Sequence, residues 1–215
     1  MKYLLILTLL FSSTLFAKSA KLSPVQLKKE RFKNLVVPAV QKVYDELETQ
    51  YIETAHYMNR SHRYYRKSID KLKKEYKVKT DKELLVAMKP HPKSIAITQA
   101  AMESAWATSR FFREAKNIFG VWSYNKNEPR IAAGETRGEK TIWLRKYDNI
   151  EDSIRDYYKT LARSRSFKEF RKLKMKTNDP YKLVKKLDHY SELRDVYTAE
   201  LTAMIKYNKF YKYDN

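Results

Sequence analysis

The chain of 215 residues has no cysteine, which excludes both a disulfide framework and a thiolate metal site. Its four histidines, at positions 56, 62, 91 and 189, do not pair at the spacing of a helical metal site. No metal and no cofactor are implied. Glycine is nearly missing as well. The three that exist, Gly120, Gly134 and Gly138, fall in one short segment together with Pro129. Everything outside that segment is permissive for long helices. The expected fold is therefore mainly α, with one short β-hairpin or irregular segment at about 120–147. Acidic residues are also scarce, 25 against 45 Lys and Arg, for a net charge of +20. The length suits one globular unit, since ~100–200 residues is a typical domain.

Long apolar runs are absent except at the start. The stretch MKYLLILTLLFSSTLFA has a charge at Lys2, an apolar run from Leu4 to Leu10 and on to Phe16, and a small residue at Ala17. That is the pattern of a secretory signal over residues 1–17. It is too short to span a bilayer, which takes ~20 apolar residues. With the signal removed, no stable membrane span is expected; the alternative is an uncleaved anchor. A basic exported chain is expected to meet anionic surfaces outside the cytoplasm, in the periplasm or at a cell wall with its carboxylates.

Ser23-Pro24 marks a helix start, and a second helix is expected after Pro38. Met58, His62, Tyr65, Ile69, Leu72 and Tyr76 recur at alternating steps of three and four, the spacing of a helix seam. With no Gly or Pro from Ala39 to Lys89, the pattern predicts one long helix packed along the domain by an intramolecular seam. Lys89-Pro90-His91-Pro92 breaks the chain. The expected division is thus an N-terminal helical region at 18–89 and a catalytic region at 90–215. After the glycine-bearing segment, Thr141 to Tyr147 alternates as a short strand. Asn149 caps a helix with Ile150, Ile154, Tyr157 and Leu161 on one face. Ser166-Phe167-Lys168-Glu169 has the form of a capping box, and Asp179-Pro180 opens another helix. A last helix is expected from about Leu193 to Phe210, with Tyr197, Leu201, Met204 and Ile205 inward.

One helical stretch asks a question. ITQAAMESAWATSRF, residues 97–111, is rich in Ala, yet Glu103 stands among Ala100, Ala101, Met102, Ala105 and Trp106. On a continuous helix, Gln99, Glu103 and Trp106 share a face with Ala96, Ala100 and Arg110. Small residues let a ligand or a backbone come close. A carboxyl in such surroundings is desolvated, which raises its pKa and suits a general acid. Cleavage of a glycosidic bond uses such an acid. The alternative is a structural carboxylate salt-bridged to Arg110 or Arg113.

Gln99-Ala100-Ala101-Met102-Glu103-Ser104-Ala105-Trp106, then Thr108-Ser109-Arg110-Phe111, then Asn117-Ile118-Phe119-Gly120 resemble the bacterial glucosaminidase family (mannosyl-glycoprotein endo-β-N-acetylglucosaminidases, glycoside hydrolase family 73-like). The likeness is greatest to its Bax-type branch, and it extends over Phe32 to Leu47, Tyr147 to Ile154 with Tyr157, and Tyr190-Ser191-Glu192 with Tyr197. The resemblance implies a lysozyme-like helical fold with N-terminal helices. It implies hydrolysis of the β-1,4 bond after N-acetylglucosamine in peptidoglycan glycan strands, with Glu103 as the catalytic acid and Tyr157 near the active site. Gln99, Asn117 and Phe119 fall within the matched motifs, and the resemblance implies that they contact the substrate. Trp106, Phe119, Trp122 and Tyr124 would line the cleft, because sugars stack on aromatic rings. Core packing is the competing role for Trp106 and Phe119. Two departures stand out: Ala107 where the family has Gly, expected to narrow the cleft, and Leu161-Ala162-Arg163-Ser164 in place of an Asn-rich turn.

A paired-carboxylate mechanism needs a second acid. Glu128, Glu135 and Glu139 lie in the glycine-bearing segment, and Glu135, beside Gly134, is favoured. The 2-acetamido group of the substrate is the alternative. Three rival functions remain. A lytic transglycosylase needs a single Glu, but its Gly-Leu-Met-Gln signature is missing here. A nucleic-acid binder would suit the charge and the 17 Tyr, but not an export signal, so nucleic acid is set aside as a partner. A basic wall-binding module without activity would not need Glu103.

Overall fold

Ser23 and Pro24 begin the first helix as their chemistry requires. Ser23 Oγ accepts from Gln26 N (3.2 Å) and Gln26 Oε1 accepts from Ser23 N (2.8 Å), so two of the orphan donors at the helix start are satisfied. The computed structural model describes residues 22–59, 63–137 and 140–215. The segment read as a signal, His62 and Glu139 lie outside them.

Helix α1 runs unbroken over Pro24–Asn59. This corrects the expectation of a second helix after Pro38, which sits inside α1. A proline there loses a backbone bond and costs roughly 3 kcal/mol. The surrounding stripe of Phe32, Val36, Ala39, Val40 and Val43, all buried, outweighs that cost. The single long helix expected as far as Lys89 is also corrected. α2 (Arg63–Tyr76) ends where Lys77 adopts φ 58°, and α3 (Asp81–Met88) starts afresh. Thr80 and Glu83 form a reciprocal capping box there, a start signal that the seam reading passed over. The seam itself is intramolecular as expected. Ile69 and Tyr76 are buried with Leu84, Ala87 and Met88, and Met58, Tyr65 and Leu72 pack against them.

α4 (Lys93–Glu103) is the central helix, with every residue from Lys93 to Ala101 buried. α1 lies against it on one side; α8 (Pro180–Val184), α9 (Asp195–Tyr207) and the closing turn Phe210–Tyr213 pack around it. α6 (Ile150–Arg163) packs on α1 and buries Ile154, Tyr157 and Leu161, with Asn149 Oδ1 accepting from Asp152 N (2.9 Å) as its cap. Asp179 caps α8 as expected. Ser166 caps nothing. A 3₁₀ turn at Arg165–Phe167 leads directly into α7 (Lys168–Lys174), and Glu169 pairs with Lys172 instead.

α5 (Arg110–Ala115) leads to the segment that holds the glycines. There, β1 (Arg130–Arg137) pairs antiparallel with β2 (Lys140–Arg145), Ile131 opposite Leu144 and Thr136 opposite Thr141. The register slips between Ala132 and Thr136, where Gly134 takes φ 85°. This is the mainly α architecture with one hairpin that the sequence leads to.

Candidate active site

Glu103 is the last residue of α4, and the chain then turns in an unusual way. Ala105, Trp106 and Ala107 all have positive φ, at 51°, 63° and 59°. Left-handed geometry costs roughly 1–2 kcal/mol for each residue with a Cβ. Ser104, fully buried, makes the turn possible: its Oγ donates to Ala100 O (2.5 Å) and accepts from Ala107 N (2.8 Å). Trp106 N donates to Ala101 O (2.8 Å) and Ala105 N to Met102 O (3.2 Å), which satisfies the last carbonyls of α4. The helix therefore does not continue through Trp106 and Arg110, and the shared face expected for them with Glu103 does not exist. Backbone strain of this kind collects at functional sites.

Glu103 is exposed as a residue, yet its carboxyl, held against α9, is desolvated enough that its pKa is raised from the usual carboxylate value. A hydrogen bond from the Tyr197 hydroxyl to Oε1 (2.9 Å) acts in the opposite direction and is the smaller effect. Among the described residues no cation pairs with Glu103. Arg110 instead donates to Glu114 and to the carbonyls of Ala132 and Ala133, which ties the hairpin to α5. The structural ion pair considered for Glu103 is therefore not formed with Arg110.

Several expected residues gather around this carboxyl. Gln99, one turn earlier on α4, is fully buried, donates Nε2–H to Tyr197 Oη (2.8 Å) and accepts from Tyr157 Oη at Oε1 (2.6 Å). Tyr157, 1% exposed, is thus two hydrogen bonds away from Tyr197's contact with Glu103. Phe119 is buried and stacks flat on Tyr157 at 4.0 Å. Two further tyrosines complete the cluster: Tyr197, expected on the inward face of the last helix, and Tyr190, which only the resemblance singled out. Tyr197 touches Glu103, and Tyr190 stacks on Tyr197 at 5.7 Å. Burial, with the Glu103 charge nearby, raises both hydroxyls above their ordinary range, so they stay protonated. His91 joins from the other end through Tyr157 (3.0 Å). Beyond the resemblance, the sequence signal for Tyr197 is a tyrosine on the inward face of a helix, whose hydroxyl must find a partner.

The remaining site candidates are dispersed. Asn117 is 1% exposed and fully committed as a clamp: Nδ2 donates to the carbonyls of Val121 and Arg145, and Oδ1 accepts from Val121 N, each at 2.9 Å. Asn117 therefore holds the hairpin in place, and Gln99, fully buried, has both its amide atoms engaged within the protein. Trp106 is half-buried between Phe32 and Phe210, with Lys29 over its ring, so core packing accounts for it. Trp122 and Tyr124 are 39% and 83% exposed on the hairpin side, 6.2 Å apart. Trp122 bridges to Leu144, and Arg145 binds Asp156 of α6 (2.8 Å). Of the acids proposed as second carboxylate, Glu128 is held by Ser123 (2.7 Å) and Arg145 (3.2 Å), and Glu135 lies on β1 with only its backbone described. Ala107, where the resemblance has Gly, takes a φ of 59°.

The family described as "Mannosyl-glycoprotein endo-beta-N-acetylglucosaminidase" (Glucosaminidase) matches residues 79–210, more than half of the chain. No curated protein matches the chain by sequence. Among solved structures, the catalytic domain of the autolysin Auto from Listeria monocytogenes is 20% identical, covers 90% of this chain and 99% of its own, and gives a TM-score of 0.48. A peptidoglycan hydrolase from Sphingomonas sp. A1 is 17% identical over 69% of this chain and 88% of its own, with a TM-score of 0.47. The glycoside hydrolase domain of Salmonella typhimurium FlgJ is 22% identical over 60% and 83%, with a TM-score of 0.45. Among the described residues no helix is long and apolar enough to cross a membrane.

Proposed function

The chain belongs to the glucosaminidase family of glycoside hydrolases, and on that premise we propose that it is an exported peptidoglycan hydrolase in which Glu103 is the general acid. The bond cut is the β-1,4 linkage after N-acetylglucosamine in the glycan strand. One observation carries this reading: Glu103, an exposed residue with a carboxyl raised in pKa, ends the central buried helix with one oxygen engaged by Tyr197 and the other, Oε2, without a protein partner among the described residues. An acid that gives its proton to a leaving oxygen needs that free oxygen. The export-type start and the +20 charge support a substrate at an anionic wall.

Trp122 and Tyr124 offer the strand a stacking surface. The region at 90–215 carries the chemistry and 18–89 braces it. Glu135 is the second carboxylate on this reading; otherwise the substrate's acetamido group replaces it. The test is a digest of purified peptidoglycan by the mature protein and by Glu103→Gln, with products reduced by borohydride and weighed. New reducing N-acetylglucosamine ends from the parent alone are expected. Anhydro ends would make the protein a lytic transglycosylase, and reducing N-acetylmuramic acid ends a muramidase. Intact strands bound by both proteins would make it a wall-binding module.

A further inference from the structure

Four buried polar side chains from different parts of the sequence line up into a single chain of hydrogen bonds that ends on Glu103. His91 Nε2 meets Tyr157 Oη at 3.0 Å. Tyr157 donates to Gln99 Oε1 at 2.6 Å, Gln99 Nε2 donates to Tyr197 Oη at 2.8 Å, and Tyr197 donates to Glu103 Oε1 at 2.9 Å. All four members are at most 4% exposed.

Every link in this chain has a direction. A hydroxyl owns one proton, an amide has a donor end and an acceptor end, and a neutral imidazole has one N–H. Tyr157 gives its proton to Gln99, so it receives one from His91. Gln99 then turns its NH₂ toward Tyr197, and Tyr197 keeps its own proton for Glu103. In the opposite sense every donor would be reversed. Tyr197 would give its proton to Gln99, and a protonated Glu103 would donate into the protein from Oε1. Both senses satisfy the buried groups equally in number, so burial alone does not choose between them. For the acid they are not equivalent, because only the first leaves its proton on Oε2.

We propose that His91 and Tyr157 are positioning residues: by holding the chain in the sense that starts with the His91 N–H, they keep the proton of Glu103 on Oε2, the oxygen that faces the leaving group. The proposal rests on the reading of Glu103 as the general acid. The surroundings suit the task. His91 is stacked on Tyr158 at 4.3 Å and edge-on to Tyr157 and Phe170, which fixes its ring. Burial, aided by the Lys174 ammonium that faces it from α7, holds the imidazole neutral, so it has a single proton to give. At the other end the titratable neighbours of Glu103 are Tyr190 and Tyr197, both held protonated. Neither His91 nor Tyr157 has surface to offer a substrate, so any effect they have on the reaction passes through the chain.

The experiment compares kcat, KM and their pH dependence on soluble glycan strands for the parent, Tyr157→Phe, His91→Leu and His91→Gln. The acid works protonated, so the rate falls as pH rises through the Glu103 pKa. Weakening the Tyr197 hydrogen bond removes an influence that lowers that pKa, so the falling limb moves to higher pH. Tyr157→Phe and His91→Leu are expected to lower the plateau kcat by about three- to tenfold with KM within about twofold, and to shift this limb upward. His91→Gln, which retains an N–H donor, recovers most of both. A purely packing role would lower Tm and leave plateau and limb where they were; that result in both variants overturns the proposal. If His91→Leu does not fold, Tyr157→Phe, which keeps its ring on Phe119, decides alone. Glu103→Gln separates the two layers of the argument. An active Glu103→Gln ends the general-acid reading and this proposal with it, whereas an inactive one beside unmoved profiles ends the proposal alone.

Discussion

Between Lys93 and Ala101 every residue of α4 is buried, whereas the segment from Trp122 to Arg145 exposes Tyr124 at 83% and is built on two strands. The helix that ends on Glu103, the floor of the proposed site, and the hairpin, its proposed wall, are therefore held by different means. On the floor, packing from α1, α8 and α9 fixes the backbone, and a buried chain of hydrogen bonds fixes the side chains. The wall depends on a few polar ties: the Asn117 clamp, the Arg145–Asp156 pair and the Arg110 contacts to the carbonyls of Ala132 and Ala133. Close packing tolerates little displacement, while a two-stranded ribbon is marginal without support. On the proposed function, the difference puts the proposed acid, which needs exact aim, on the rigid part and the proposed stacking aromatics on the adaptable part.

The largest effect expected from this contrast lies beneath the floor. Lys174 is buried, donates to the carbonyls of Ala87 and Lys89, and has its pKa pushed down to about 7 by desolvation. The unfolded lysine stays protonated to about pH 10.4, so between pH 7 and 10 the unfolded state binds the extra proton and stability rises with pH. That slope amounts to at most roughly 4 kcal/mol and should be missing from Lys174→Met in denaturant titrations across this range. An equal slope in both proteins would show that Lys174 is solvated in the native state. On the proposed wall, Asn117→Ala removes the side-chain partner of Val121 N and of the carbonyls of Val121 and Arg145, though Val121 O still accepts from Arg145 N (3.0 Å). A loss of about 2–3 kcal/mol is expected, read as a lower midpoint in thermal or urea unfolding. A change below about 0.5 kcal/mol would mean that the hairpin does not need its clamp.

How much of this was legible beforehand depends on the range of the forces involved. Ser23, Asn149 and Asp179 announce helix starts because a cap acts within three residues. The hairpin was legible because glycine was confined to it, and Glu103 because a carboxylate among alanines is conspicuous. Pro38 misled, since its local preference was overridden by the apolar stripe on both sides of it. The end of α4 was hidden too: nothing in Ala105-Trp106-Ala107 signals three left-handed residues, and the turn rests on buried Ser104. The chain through His91, Gln99, Tyr157 and Tyr197 joins residues up to 98 positions apart, beyond the reach of any local pattern. Asn117 was recognisable as special, but its work as a clamp required the partners to be seen.

Two smaller tests sharpen the contrast. Trp122→Ala removes half of the exposed aromatic pair on the wall and should raise KM about tenfold with kcat within about twofold, because it takes away contact area and leaves the acid alone. A fall in kcat with unchanged KM would place Trp122 in the chemistry instead. Ala107→Gly relieves the φ of 59° and should stabilise the protein by about 1 kcal/mol or slightly less, after the entropy of the added glycine is set against the relief. At this chain length that is a rise of roughly 2–4 °C in Tm. A lower Tm would mean that the left-handed turn holds no strain at this position.

The measurement that bears most directly on the floor as the seat of the chemistry is turnover and strand binding by Glu103→Gln beside the parent. The substitution keeps the size of the side chain and removes only its ability to give a proton. The account predicts a fall in kcat of about a hundredfold or more with strand affinity within a few-fold, the usual worth of a general acid. Turnover within a few-fold of the parent would contradict it and move the catalytic group off the end of α4.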